Sequence, residues 1–330
     1  MDYFFNKKKT DFLLLIFSIF FFVVINITYF YLIITSQIEL KDYAFDELFV
    51  NYQAGFIRRG FFGEIAWQLH SIFLIEPINF FSNFYLFIYL LQFTLFFFLL
   101  RKYIVSKFIF ILIFFSPSLL LFHIYNPDLY FLKDSLIKCV FLLHTFIFYF
   151  LFIIKNQKKK YFNYLKFLII PILFFVILSH EYQVFSLSLH FLISLGAVEQ
   201  KKNIYKVIKI YLPLIIPIIL VGFFMGDQKH FEELSEILKI YDVELNPYLG
   251  GGLYKYIGGF YKWHFYYFSY RDFVNLFLSS ILSVLVIYGL FEYLIEKKIV
   301  SFQSKYQMKY IIYFLPVFMP FLLTSDHGRN

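Results

Sequence analysis

The chain is poor in cysteine, arginine and acidic residues. Its single cysteine, Cys139, lies in an apolar run, which excludes a disulfide framework and a cysteine metal site. No repeat and no soluble domain can be recognised. Apolar residues are in excess instead: they make up 61% of the chain, and the mean hydropathy is +0.70. Soluble domains are a little under half apolar, so the composition predicts an integral membrane protein.

Runs of about 20 apolar residues mark helices that can cross a bilayer. They predict an all-α fold, a polytopic transmembrane helical bundle that forms one integral membrane domain over residues 1–330. The first run is too long for the apolar core of a cleavable signal peptide, so we interpret it as a membrane helix. Nine spans are predicted: 12–35, 78–100, 108–125, 136–154, 166–180, 183–198, 209–226, 274–295 and 309–325.

The distribution of charge predicts the orientation of these spans. With a cytoplasmic N-terminus, 19 of the 30 basic residues fall inside and 17 of the 22 acidic residues fall outside. This follows the positive-inside rule, so the net charge of +8 needs no nucleic-acid partner. The long outer loops are then 36–77 and 227–273.

Arginine is the rarer basic residue, with five copies against 25 lysines. A guanidinium offers a planar fork of donors that suits phosphate or carboxylate, which a lysine cannot reproduce. The outer location of four arginines therefore favours an anion clamp, although contact with lipid headgroups or acidic loops is the simpler alternative. The four are Arg58, Arg59, Arg271 and Arg329.

Arg58 and Arg59 lie within an unusual segment, residues 51–65. Three glycines surround the arginine pair, so the backbone can turn sharply or approach a ligand closely. From Phe61 onward, apolar residues recur at helical spacing, which predicts an amphipathic helix at the membrane surface. A second amphipathic helix is predicted near 231–241, with three glutamates opposite its apolar stripe.

Carboxylates and histidine supply candidate acid–base groups. Asp42 and Asp46, beside Glu39 and Glu47, could accept a proton from a hydroxyl substrate, or could simply solvate the outer surface. No spacing among them demands a metal ion, and no cofactor is implied. His180-Glu181 interrupts an apolar run. Ionisable groups within a membrane are costly to bury and usually have a function, and a histidine can act as acid or base near neutral pH. The alternative is that the pair is only a polar turn in water.

Several of these motifs resemble those of one protein group. The Gly-Phe-Ile-Arg-Arg-Gly core of 51–65 is similar to a motif in multi-spanning proteins of bacterial O-antigen and capsule gene clusters. Lys133-Asp134, His180-Glu181 and the tail 326–329 (Asp-His-Gly-Arg) resemble outer-face motifs of that group. The group resembles polysaccharide polymerases of the Wzy type and, more broadly, GT-C-type glycosyltransferases.

The resemblance implies a multi-pass enzyme of the bacterial inner membrane that elongates polyprenyl-diphosphate-linked glycans for O-antigen or capsule. Arg58 and Arg59 would hold the diphosphate, with Arg271 or Arg329 assisting. Asp42 or Asp46, or else Glu181 with His180, would accept the proton of the acceptor hydroxyl. Membrane lipids and other polysaccharide-assembly proteins are the further expected partners. A lipid-linked sugar flippase and a membrane acyltransferase are the alternatives, and the sugar and linkage stay open.

Overall fold

A computed structural model describes residues 43–57, 59–103, 133–180, 183–198, 204–223 and 228–239, with single positions elsewhere. Within these ranges every regular element is a helix. Three short helices are α1 (Tyr43–Phe49), α2 (Phe61–Phe73) and α8 (Gln228–Lys239). Four long helices are α3 (Pro77–Tyr103), α4 (Asp134–Ile154), α5 (Lys158–Ser179) and α7 (Ile204–Phe223). Helix α6 (Gln183–Gly196) is intermediate in length.

The four long helices are long and apolar enough to cross a membrane. They correspond to the second, fourth, fifth and seventh predicted spans. Helix α6 corresponds to the sixth and is shorter than a usual span. The third, eighth and ninth predicted spans, and all but single positions of the first, lie outside the described residues. Helices of membrane-span length and composition are therefore observed. The total of nine spans stays a prediction.

The long helices are not α-helical throughout. The last part of α4, Phe148–Ile154, is π-helical, and so is Leu165–Ile169 in the middle of α5. In α7, a 3₁₀ turn at Leu212–Leu214 contains Pro213, which has no amide hydrogen to donate to the preceding turn. Such local changes of pitch rotate the side chains that follow relative to those that precede.

Side-chain contacts fix the relative directions of the long helices. Tyr89 meets Ser135 and Phe98 meets Phe146, so α3 and α4 run parallel. Helix α5 returns antiparallel to α4, because Phe148 packs on Tyr161 near the turn between them. Helix α7 runs parallel to α5, since their last parts pack together and their first parts share a groove. These directions agree with the alternation predicted for the four spans.

An aromatic core joins α3 to the segment before it. The buried residues of α3 recur at every fourth position, which places them on one face of the helix. Phe49 from α1 contacts Phe81, and Leu234 and Leu238 of α8 belong to the same cluster. The helix predicted at 231–241 is thus observed, with its apolar face buried and its glutamates exposed. The face of α3 consists of Phe81, Tyr85, Tyr89, Phe93 and Phe97.

A buried polar network ties four helices together away from this core. His144 of α4 and Tyr161 of α5 are joined by a 2.9 Å hydrogen bond. The Tyr161 hydroxyl also donates to Ser194 Oγ at 3.3 Å, and Ser194 Oγ lies 2.9 Å from the hydroxyl of Tyr211. Each polar group therefore has a partner where water is excluded, which offsets the penalty of burying it.

The chain divides into two compact units. The first contains Met1–Val184 and Ile193–Tyr254, and the second contains Phe185–Leu192 and Lys255–Asn330. Of the second unit, the structure describes only Phe185–Leu192, the middle of α6. The two ends of α6 belong to the first unit.

Candidate functional site

Glycines shape the segment between α1 and α2. Gly55 has φ +107°, a left-handed conformation that a side chain would strain, and its Cα faces the ring of His230. A Cβ on Gly60 would meet the ring of Tyr52 at 2.5 Å. A Cβ on Gly63 would strike the backbone carbonyl of Val50. The glycines around the arginine pair therefore allow α2 to pack closely on the chain that precedes it.

Glu64 of α2 fastens this segment. Its Oε2 accepts a 3.0 Å hydrogen bond from the amide of Tyr52, and the side-chain amide of Gln53 donates to both carboxylate oxygens. Gln68 donates to Oε1 from the next turn of the helix. Burial, together with the Glu64 carboxylate, raises the pKa of Tyr52 well above its ordinary value. The hydrogen bonds of Glu64 thus hold the preceding segment against α2.

Three charged residues meet inside the protein beside α3. Arg59, which has φ +68°, donates from Nη1 to Oε1 of Glu47 at 3.0 Å. Lys133 Nζ donates to the backbone oxygens of Glu47 and Arg59 at 3.0 and 2.9 Å, and lies 3.9 Å from Glu47 Oε1. All three side chains are buried. The Glu47 carboxylate therefore lies within ion-pair distance of both cations.

The next residue along the chain, Asp134, contacts a histidine. Asp134 starts α4, where the partial positive charge of a helix N-terminus stabilises a carboxylate. Its Oδ1 lies 3.3 Å from Nε2 of His180, which follows the last residue of α5 in an extended conformation. The His180 side chain is buried, whereas 24% of the Asp134 side chain is exposed. This pair lies at the edge of the buried charges.

Hydroxyl and amide groups of α3 complete the cluster. Ser135 shares a 3.0 Å hydrogen bond with the hydroxyl of Tyr89, and Gln92 donates to the Ser135 carbonyl at 2.7 Å. The buried hydroxyl of Tyr85 has no hydrogen-bond partner among the described residues and interacts electrostatically with Glu47 and Asp134. Tyr85 is thus a buried polar group influenced by both carboxylates, with no hydrogen bond among the described residues.

The cluster lies beside the middle of α3 and at the first turn of α4. Ser135 is level with Tyr89, which is twelve residues after Pro77, or about 18 Å along the helix axis at 1.5 Å per residue. Buried charges are costly unless they are paired, so this grouping has a structural or a chemical purpose. We call Glu47, Arg59, Lys133, Asp134 and His180 the charged cluster.

The predicted site residues have different positions relative to this cluster. Arg59 and His180 belong to it, and they are joined through consecutive residues, Lys133 and Asp134. Asp46 is partly buried in α1, next to Glu47. The remaining predicted site residues lie outside the described part of the chain: Asp42, Arg58, Glu181, Arg271 and Arg329.

Three members of the cluster were not among the residues predicted from their own chemistry. Lys133 and Asp134 were singled out only in the motifs that carry the resemblance. Glu47 was singled out only as one of several neighbouring acids. The available signal was the Lys133-Asp134-Ser135 triplet directly before an apolar run of membrane-span length. Three polar residues at that boundary indicate the start of a helix that holds charged side chains in place.

Comparisons of the chain with protein-family models, with curated proteins and with solved structures find no match. The charged cluster must therefore be interpreted from its own geometry. Within the described residues, no three His, Cys, Asp or Glu side chains are grouped to hold a metal ion. What the cluster offers is a carboxylate–imidazole pair beside two buried cations.

Proposed function

We propose that this chain is a membrane glycosyltransferase, a polysaccharide polymerase that acts on polyprenyl-diphosphate-linked glycans at the outer face of a bacterial inner membrane. The observation that carries the proposal is the contact between His180 and Asp134, which adjoins the buried Glu47–Arg59–Lys133 group. The motif resemblance supplies the substrate class. The rest of the proposal is supported by the imidazole of His180, which we assign as the proton acceptor, and by the two buried cations beside it.

In the proposed step, the hydroxyl of the acceptor glycan attacks the anomeric carbon of the donor. The new glycosidic C–O bond forms as the bond to the diphosphate breaks, and the polyprenyl diphosphate leaves with the bonding electrons. The acceptor proton passes to the imidazole of His180. Asp134 orients that ring and stabilises the imidazolium that results, which is the role of a carboxylate paired with a general base.

Two buried cations lie beside this pair. Arg59 and Lys133 both contact Glu47, so their combined field favours negative charge developing on a leaving diphosphate. Arg58, with Arg271 or Arg329, stays the proposed direct ligand of that diphosphate. Asp42, Asp46 and Glu181 stay alternative proton acceptors. We favour His180 because its contact with Asp134 orients the ring.

The test is complementation of long-chain surface glycan in a strain that lacks the gene. Asp134→Asn keeps the shape of the side chain and removes the charge that orients His180. We expect short glycans at a normal protein level, because losing the carboxylate that orients a general base slows transfer by about 10²-fold or more. Glu233→Gln is the matched control, since that carboxylate is exposed and pairs along its own helix.

The competing interpretation gives the charged cluster a purely structural role. In that case Asp134→Asn and His180→Gln would lower protein level and glycan length together, and restoring expression would restore long chains. Normal glycan length in both variants would contradict the proposal. A flippase would differ in another way, because its variants would reduce the amount of exported glycan of every length.

A further inference from the structure

A long groove runs between the first parts of α5 and α7, at the opposite end of α5 from His180. It encloses about 940 Å³. The two helices pack together over Ile170–Ser179 and Ile215–Phe223, and the groove opens on the side where each helix begins. Helix α5 has 22 residues, so Lys159 at this end lies about 30 Å along the helix from His180, whereas the apolar end of the groove reaches Phe175. The basic part of the groove is thus separate from the candidate site.

The groove is basic where the helices begin and apolar further along. Four lysines line it: Lys159, Lys166, Lys206 and Lys209. Beyond them the lining consists of aromatic, aliphatic and proline side chains, including Ile170 and Phe174. This gradient along one groove matches a molecule with an anionic head and a hydrocarbon tail.

No acid from these helices offsets the lysines. The sequence contains no Asp or Glu between Ser135 and His180, and none between Gln200 and Gly226. Among the described residues, none of the four lysines makes an ion pair. Four exposed ammonium groups around one groove repel each other, so an anion bound between them would stabilise the arrangement.

Aromatic rings hold two of the lysines at the groove. Lys206 Nζ of α7 lies 4.4 Å from the ring centre of Phe162 on α5, a cation–π contact that spans the groove. Lys166 Nζ lies 4.9 Å from the ring of Phe167. The Phe167 and Tyr205 side chains are about 70% exposed, so the groove has an apolar rim that suits lateral access from lipid.

We propose that this groove binds an anionic phospholipid of the surrounding bilayer. The lysines hold the phosphate, and one acyl chain follows the apolar lining toward Phe174 and Phe175. The volume falls within the usual range of a ligand cavity and accommodates a headgroup with part of a chain. The inference is independent of the proposed transferase activity and of the charged cluster.

The test uses the purified full chain in neutral detergent, with its thermal unfolding followed as lipid is added. We expect phosphatidylglycerol to raise the unfolding temperature more than phosphatidylcholine does. The double variant Lys206→Gln/Lys209→Gln should weaken phosphatidylglycerol binding at least 10-fold. The matched control, Lys229→Gln/Lys239→Gln, removes two lysines of α8 and should keep the wild-type preference.

Further measurements separate lipid binding from misfolding and from the binding of a free anion. The Lys206→Gln/Lys209→Gln variant must unfold like the wild type in phosphatidylcholine, and Lys206→Arg, which keeps the charge, should retain binding. Equal stabilisation by both lipids would overturn the proposal. Stabilisation by inorganic phosphate alone, at the same concentration and to the same extent, would also overturn it, because that result would mean a free-anion site. An unchanged lipid preference in the double variant would do the same.

Discussion

Glu47 is the residue on which the buried charges depend. Its carboxylate accepts from Arg59, and its backbone oxygen accepts from Lys133. Both cationic side chains are buried, so bulk water does little to solvate their charge. Removing one member of such a group leaves an uncompensated charge in an apolar environment, which destabilises more than the pair itself stabilises.

We therefore predict that Glu47→Gln lowers the free energy of unfolding by about 3–5 kcal/mol, the usual range for breaking a buried ion pair. The measurement is thermal unfolding of the purified chain in detergent. Glu233→Gln, at an exposed i,i+4 pair on α8, should change the same quantity by less than about 0.5 kcal/mol. Equal stability of wild type and Glu47→Gln would mean that the buried group is not an ion pair.

The arginine pair divides into two predicted roles. Arg59 donates to Glu47, so Arg59→Lys should lower stability. Arg58, outside the described residues, stays the predicted diphosphate ligand. A charge-assisted hydrogen bond is worth roughly 1.5–3 kcal/mol, so Arg58→Lys should slow transfer by about one to two orders of magnitude at unchanged stability. Long glycans made at reduced expression of Arg58→Lys would leave the diphosphate role without support.

At the scale of elements, α2 depends on the absence of a side chain at one position. Gly63 faces the carbonyl of Val50, and a methyl group there would push the helix away from the segment that carries Glu47. Glycine is otherwise unfavourable inside a helix by about 1 kcal/mol, so its presence here reflects packing. Gly222 in α7 is a natural comparison because nothing lies within 4 Å of its Cβ position.

We predict opposite effects of the same substitution at these glycines. Gly63→Ala should lower the unfolding temperature and reduce glycan length, because it displaces α2 and with it the Glu47–Arg59 contact. Gly222→Ala should be neutral or stabilising by up to about 1 kcal/mol, through helix propensity alone. Thermal unfolding and a glycan gel on both variants provide the check. A neutral Gly63→Ala would show that α2 does not pack against Val50.

Helix ends were less predictable than helix existence. Apolar runs predicted the spans at 78–100 and 136–154 to within three residues of α3 and α4. The fifth span was predicted to begin at 166, but α5 begins at Lys158. Lysine is a good helix former and can extend its charge to water from within a membrane helix. The helix therefore begins before the apolar run does.

The pairing of side chains was the least predictable feature. Sequence patterns indicated that Arg59 and His180 are unusual, but not that Glu47 and Asp134 are their partners. Those contacts join residues 12 and 46 positions apart, so they depend on how α1, α4 and α5 pack with the segment that carries Arg59. The Lys133 contacts depend on the same packing, because the amine reaches backbone oxygens that no pattern of side chains can indicate.

At the scale of the whole molecule, helix directions constrain the topology. Helices α3 and α4 run parallel to each other, and α5 and α7 run parallel to each other and opposite to the first two. With a cytoplasmic N-terminus, reporter fusions after Lys160 and after Lys202 should both indicate cytoplasm. A fusion near Gly251 should indicate the exterior. A cytoplasmic signal at Gly251 would contradict the proposed outer position of the charged cluster.

Chain lengthening in a reconstituted membrane is the decisive measurement of transferase activity. The purified full chain would be placed in liposomes with a polyprenyl-diphosphate-linked oligosaccharide from its host, and products would be sized by gel and mass spectrometry. We predict longer lipid-linked glycans with release of polyprenyl diphosphate, slowed about 10²-fold or more in Asp134→Asn at unchanged unfolding temperature. Folded wild-type protein that lengthens no chain, or an Asp134→Asn variant as fast as wild type, would contradict the proposed function.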